Sequence, residues 1–323
     1  MVWRFLKAAL ALVIVAALLT ALWRQREGAA LLLNARWPYV LSAFGMCLGY
    51  RVLNSFCWYG VLRSLGEHPA LLATSRVWLV SEATRWLPGS VWNLISRAGM
   101  AREIGITRLK ASASITLELV LTIIAWSLTA SLLLLHGAPV LECLPSLDPI
   151  VAVVAISFGA LLISVALKHG HRFIPGALKE KFKRFKSGLV AIQSMRPDLK
   201  TSLRVTGYYT ALCFVQGLAL WVLFFACDPS GVPPVTAVIG ANALAWIIGF
   251  LAIFSPGGLV VREGVLVVML AAWAPPAQVA AIALAWRVVQ ISSELVCLAI
   301  ALSPVGRLAR LTVDSPASCQ QAT

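Results

Sequence analysis

Arg51, Arg97, Arg262 and Arg287, together with Glu118, Glu263 and Glu294, stand in or beside long apolar runs of this sequence. Each Arg or Lys at a bilayer centre costs about 2.5 to 3.5 kcal/mol even on the lenient insertion scale. A few such residues rival the whole stability of a domain, roughly 5 to 15 kcal/mol. They must therefore face protein or a wet cavity. On the run from Ala111 to Leu135, Ser114, Glu118, Thr122 and Thr129 follow helical spacing and share one face. Arg51, Asn54 and Ser55 do the same on an earlier run, and Arg287, Gln290 and Glu294 on the last. The three stripes are expected to line one polar cleft. The alternative is that Arg and Glu pair across helices as structural glue. Arg287 and Glu294 are two turns apart, about 10 Å, too far to satisfy each other. Glu82 has Arg85 one turn away as a partner.

Two interruptions add a second kind of chemistry. The chain is broken at Leu87, Pro88, Gly89, Ser90 and again at Ser255, Pro256, Gly257, Gly258. Proline removes a helical donor and glycine loosens the backbone, so each break splits a helix in two. Ser90 and Gly258 then lie near the starts of half-helices, whose free amides and positive dipole ends favour an anion. Arg97 and Arg262 follow within about two turns. One phosphate site per half is the expectation.

The elements that must carry these groups are membrane helices. The chain is 60% hydrophobic and 12% charged, whereas a soluble domain is about 25% charged. Runs of about 20 residues, the length that crosses the hydrocarbon as a helix, cover Phe5 to Trp23, Ala111 to Leu135, Pro149 to Leu167, Val205 to Cys227, Val235 to Phe254 and Gln278 to Leu302. Tyr39 to Leu62 is a further candidate. The first run ends in Trp23, Arg24, Gln25, Arg26 and not in a small-residue cleavage site, so it reads as a retained span.

Charge gives the orientation. The net charge is +14, and the stretch 168–204 concentrates Lys and Arg as a cytoplasmic loop resting against anionic lipid head groups. Interleaved stacking aromatics are scarce there, and no nucleic acid is expected as a partner. The connections His136 to Asp148 and Asp228 to Pro234 lack Lys and Arg and belong outside; Arg97 to Lys110 and the tail 303–323 belong inside. Cys143 is then outside and Cys319 inside, with both termini cytoplasmic in the cell membrane. Arg24, Arg26 and Arg36 in the first outer loop are a local exception.

The fold expected is an all-α integral membrane bundle of two inverted repeats, 1–135 and 136–302, each with a re-entrant broken helix. The alternative is a bundle in which both broken segments are ordinary kinked helices.

The seven cysteines form no C-x-x-C pair, and His169 with His171 has no third ligand nearby, so no metal or cofactor is expected. G-x-S-x-G, H-E-x-x-H, P-loop and dinucleotide fingerprints are all missing, which argues against an enzyme.

Arg85-Trp86-Leu87-Pro88-Gly89-Ser90-Val91-Trp92 with Arg97 downstream, and Pro256-Gly257-Gly258-Leu259-Val260-Val261-Arg262-Glu263-Gly264 followed by Ala285-Trp286-Arg287, resemble the transmembrane region of lysylphosphatidylglycerol synthases, a flippase-like family. One departure is Leu119 after Glu118, where members often carry Glu-Arg. The resemblance implies a protein that flips or binds membrane phospholipids or lipid-linked glycans, some of them aminoacylated. On that basis Arg97, Arg262 and Arg287, with Gly89, Ser90, Gly257 and Gly258, are expected to hold the phosphate of a lipid head group. Glu118, Glu263 and Glu294 are expected to attract a cationic head group or carry a coupling proton, with Arg51, Asn54 and Gln290 completing the wall. The rival expectation is a membrane accessory subunit of a lipid or glycan assembly system that transports nothing; a lipid-modifying enzyme is third.

Overall fold

The computed structural model of the chain describes residues 34–86, 92–135, 199–252, 258 and 260–303. Among them every regular element is a helix. The described helices are α1 (Trp37–Ser64), α2 (Leu71–Glu82), α3 (Trp92–Met100), α4 (Arg108–Leu135), α5 (Leu199–Cys227), α6 (Val235–Leu251), α7 (Val261–Leu270) and α8 (Pro276–Leu302). A 3-10 turn, Ala83–Trp86, continues α2 toward the first break. Four of the helices are long and apolar enough to cross a membrane: α1, α4, α5 and α8. The chain is a polytopic all-α membrane protein.

Sequence explains the helix ends. Proline opens α1 and α8 in their first turns, where a missing N–H breaks no helical hydrogen bond. α1 stops at Gly66, whose φ of 79° is a left-handed cap costly for any residue with a Cβ. The Gly66 and Glu67 amides there donate to the carbonyls of Arg63 and Leu62. The two predicted interruptions fall between described helices: α2 with its 3-10 turn ends at Trp86 and α3 starts at Trp92, while α6 ends at Leu251 and α7 starts at Val261. Expected from Val235 to Phe254, α6 is thus slightly shorter, because its last turn runs into the break.

The order long helix, two short helices, long helix therefore occurs twice, as α1 to α4 and as α5 to α8. The two series interlock. α1 packs along α5, α4 along both α5 and α6, and α8 along α1 and α2. α1 and α5 run antiparallel: the Arg36 amide donates to the Ala226 carbonyl at 2.9 Å, and Gly60 near the other end of α1 meets the Val205 side chain. Close approach needs small residues here, because lipid supplies no hydrophobic drive between helices. At Gly217 of α5, a Cβ would come within 2.8 Å of the Ile239 backbone on α6. Two apolar cores result, one around Trp58, Trp126 and Tyr209, the other around Phe224, Leu270 and Ile282.

Several expectations lie outside the described residues: the runs Phe5 to Trp23 and Pro149 to Leu167, most of the basic stretch 168–204, the tail after Ser303, Cys143 and Cys319, and the break residues Gly89, Ser90 and Gly257.

Candidate functional site

α3 has only nine residues and folds back from the first break against α2 and α4. That brings Arg97 inside the bundle, 2% exposed. Its guanidinium lies over Trp58 at 5.3 Å and Trp78 at 5.1 Å from the ring centroids, a favourable position for a cation on an electron-rich face. Each of its three nitrogens is engaged. Nη2 donates to Glu82 Oε1 at 2.7 Å, Nη1 donates to Glu118 Oε2, and Nε donates to Ser81 Oγ at 3.1 Å.

The ion pairs continue across the bundle. Glu82 also accepts from Asn93 Nδ2 at 2.9 Å and lies 3.5 Å from Arg85. Arg85 reaches Glu294 on α8 at 2.9 Å, and the same Glu294 oxygen accepts from Arg51 on α1 at 3.3 Å. Arg51 is completed by Ser293 Oγ at 3.1 Å and the Gln290 carbonyl at 3.0 Å. Glu118, Arg97, Glu82, Arg85, Glu294 and Arg51 thus alternate in sign along one line through the bundle. Three positive groups face three negative ones. In a low dielectric such pairing is what keeps the charges tolerable, since a stranded partner costs about 3 to 5 kcal/mol.

The second series builds something different. Arg262 and Glu263 are neighbours on α7, so their side chains leave the helix about 100° apart. Glu263 Oε1 accepts from Arg287 Nε on α8 at 2.9 Å. Arg262 turns instead toward α6, over Trp246 at 5.9 Å. Trp246 is itself stacked on Trp126 at 4.7 Å and on Phe250 at 5.5 Å. The Arg262 stem runs against Gly249 and Gly258: a Cβ on Gly258 would meet Nε at 2.7 Å, and one on Gly249 would overlap the stem itself. Gly258 has φ 73°, and Val260 beside it has φ 68°, uncommon for a β-branched residue. Among the described residues, no carboxylate pairs with Arg262, and its Nε makes no hydrogen bond.

Two cavities meet at this arginine. The larger is an open pocket of about 850 Å³, lined by Arg51, Glu82, Arg97, Glu118, Gly258 and Arg262 among others. The smaller, about 300 Å³, is lined by Gln216, Asn242, Arg262, Glu263, Arg287 and Gln290 among others. Trp246 and Arg262 belong to both.

The structure therefore brings the predicted stripes together, divided between two cavities. Asn54 and Thr122 line the larger one. Ser114 accepts from Trp58 Nε1 at 3.2 Å, while Ser55 and Thr129 donate to carbonyls of their own helices. These three serve packing. Arg97, expected to hold phosphate, is saturated by Glu82, Glu118 and Ser81, because α3 delivers it between two carboxylates. Arg287 is bonded to Glu263. Glu118, Glu263 and Glu294, expected to meet a cationic head group or a proton, each hold an arginine of the protein. The spacing of charges missed Trp78, one turn before Glu82, and Asn242 with Trp246 and Gly249. Both sets repeat at helical intervals of three or four and were open to the same test.

A family model described as the lysylphosphatidylglycerol synthase TM region matches residues 6–296 of the chain. Comparison with curated proteins gives no match.

Proposed function

The chain belongs to the lysylphosphatidylglycerol synthase transmembrane family, and from that premise we propose that it is a flippase-like transporter that moves a lipid with a phosphate-containing head group. The head group passes through the two polar cavities while the acyl chains stay in the bilayer, and the protein does no bond-making chemistry of its own. One observation carries this reading: Arg262, a cation with no carboxylate partner among the described residues, borders both cavities. A guanidinium placed this way is suited to a phosphate, which it can hold through two parallel N–H bonds.

In this reading the second helix series is inverted in the membrane relative to the first, with both broken segments re-entrant. The antiparallel course of α1 and α5, the equivalent helices of the two series, supports it. So do the basic residues at one end of the bundle: Arg63 near the end of α1 and Arg204 near the start of α5 lie at the end where Gly60 meets Val205, and Lys110 pairs with Glu67. That end is assigned to the cytoplasm, with both termini, by the positive-inside rule. Anionic lipids are the partners proposed for the basic stretch 168–204.

The closed ion-pair line around Arg97 favours a second reading, a membrane accessory subunit that binds lipid without moving it. Reconstitution of the purified chain into liposomes with labelled phospholipids separates the two. Lipid movement between leaflets supports transport; saturable binding with no movement above that of protein-free liposomes replaces it with the accessory role.

A further inference from the structure

The charges in and around the two cavities can be counted, and the count bears on which head group fits. Five arginines, Arg51, Arg85, Arg97, Arg262 and Arg287, face four glutamates, Glu82, Glu118, Glu263 and Glu294. Every one of these carboxylates is bonded to an arginine of the protein. Among the described residues the surplus is one positive charge, and Arg262 is the arginine with no carboxylate bonded to it. The two neighbouring break segments, 87–91 and 253–257, contain no Asp or Glu.

Building on the transport reading above, we propose that the accepted head group carries one net negative charge, a hydroxylated phosphodiester without an added ammonium, and that Arg262 is the residue that reads that charge. An ammonium entering either cavity meets carboxylates that each already hold a guanidinium, and it adds to the positive surplus. A phosphodiester displaces nothing. Its two free oxygens match the guanidinium fork, and its single charge cancels the surplus. Diphosphates bring more negative charge than the cavities offset. The neutral walls specify the rest of the head group. Asn93 gives its amide N–H to Glu82, and its Oδ1, like that of Asn54, makes no hydrogen bond among the described residues. Both residues line the larger cavity. Such oxygens accept from hydroxyl donors, as a glycerol or sugar head group supplies.

The test is calorimetric titration of the purified full chain in detergent with short-chain phosphatidylglycerol, phosphatidylethanolamine and lysyl-phosphatidylglycerol. Phosphatidylglycerol is expected to bind at least about tenfold more tightly than the lysyl form, a conservative effect for one charge-assisted contact. Arg262→Gln is expected to erase that preference, and Arg262→Lys, which keeps the charge but loses the fork, to retain part of it. Should Arg262→Gln not fold, Arg262→Lys must still reduce the preference. Tighter binding of the lysyl lipid by the wild type, or an undiminished preference in the Arg262 variants, overturns the proposal. The outcomes stay separable from the transport reading. Movement of the lysyl lipid in liposomes leaves transport standing and removes this inference. The expected preference without any movement does the reverse.

Discussion

Arg97 and Arg262 each stand on the short helix after a break, Arg97 in its last turn and Arg262 in its first, and their surroundings are opposite. Arg97 sits between Glu82 and Glu118 under two indoles, with every nitrogen engaged. Arg262 rests on a single indole, its stem in a trough made by Gly249 and Gly258, with no carboxylate bonded to it among the described residues. Two similar helix series therefore put the same residue type to two uses. In the first the arginine ties α2, α3 and α4 together. In the second it borders two cavities with no carboxylate bonded to it among the described residues. An intramembrane arginine is thus a weak indicator of a ligand until its partners are known, because the cost of burying it is met equally well by a carboxylate or by a substrate.

The sharpest way to break this contrast is to neutralise Arg97. Arg97→Gln strands Glu118 in a buried setting, leaving Glu82 with Arg85, and is expected to cost about 3 to 5 kcal/mol, seen as a large fall in the thermal midpoint in detergent. Adding Glu118→Gln to that variant is expected to restore most of the loss, since Glu82 keeps Arg85. A single variant as stable as wild type would mean that the closed cluster is not a scaffold.

Neutralising Arg262 is expected to act the other way round. Arg262→Gln removes an uncompensated charge, so the thermal midpoint stays level or rises, while lipid movement in liposomes is lost. Parallel loss of stability and movement would place Arg262 in the same class as Arg97.

A gentler probe fills the trough. Gly249→Ala puts a Cβ against the Arg262 stem. Alanine gains about 0.5 to 1 kcal/mol over glycine within a helix, which only partly offsets an overpacking cost of about 1 to 3 kcal/mol. Stability is expected to fall by less than in Arg97→Gln, while lipid movement falls several-fold as Arg262 shifts. Unchanged transport would show that the position of Arg262 is not constrained.

The smallest effect is expected far from both arginines. The Ser230 hydroxyl and amide donate to Asp228 at 2.6 and 3.0 Å, and Gln278 donates to it at 3.1 Å, holding its carboxyl below the ordinary range. A depressed native pKa stabilises the fold above the unfolded value of about 3.9 and loses that contribution as pH falls through the native value. The group is only partly buried, so only a slight extra drop in thermal midpoint below about pH 4 is expected, absent in Asp228→Asn. An equal drop in both proteins would assign the acid sensitivity elsewhere.

Much of the fold was legible in the sequence, and for local reasons. Hydrocarbon thickness sets the length of an apolar run, which is why α1, α4, α5 and α8 lie where the runs predicted them. Proline and glycine act on their own turn of helix, so both breaks were visible at Pro88 and Pro256. Side chains three and four apart share a face whatever surrounds them, so Asn54, Glu118 and Gln290 were found as cavity or near-cavity residues. Partner choice was not legible. Arg51 meets Glu294 across 243 residues of chain, and Glu82, assigned in sequence to Arg85, is shared with Arg97. Whether an arginine finds a carboxylate within 3 Å or a glycine trough depends on how α3 and α7 dock against their neighbours. Residue spacing along one helix carries no information about that distance across the bundle. The sequence by itself determined where charge enters the membrane region; only the tertiary structure decided that Arg97 is neutralised inside the protein while Arg262 meets no carboxylate among the described residues, because ion pairing falls off over a few ångströms and those ångströms are set by packing.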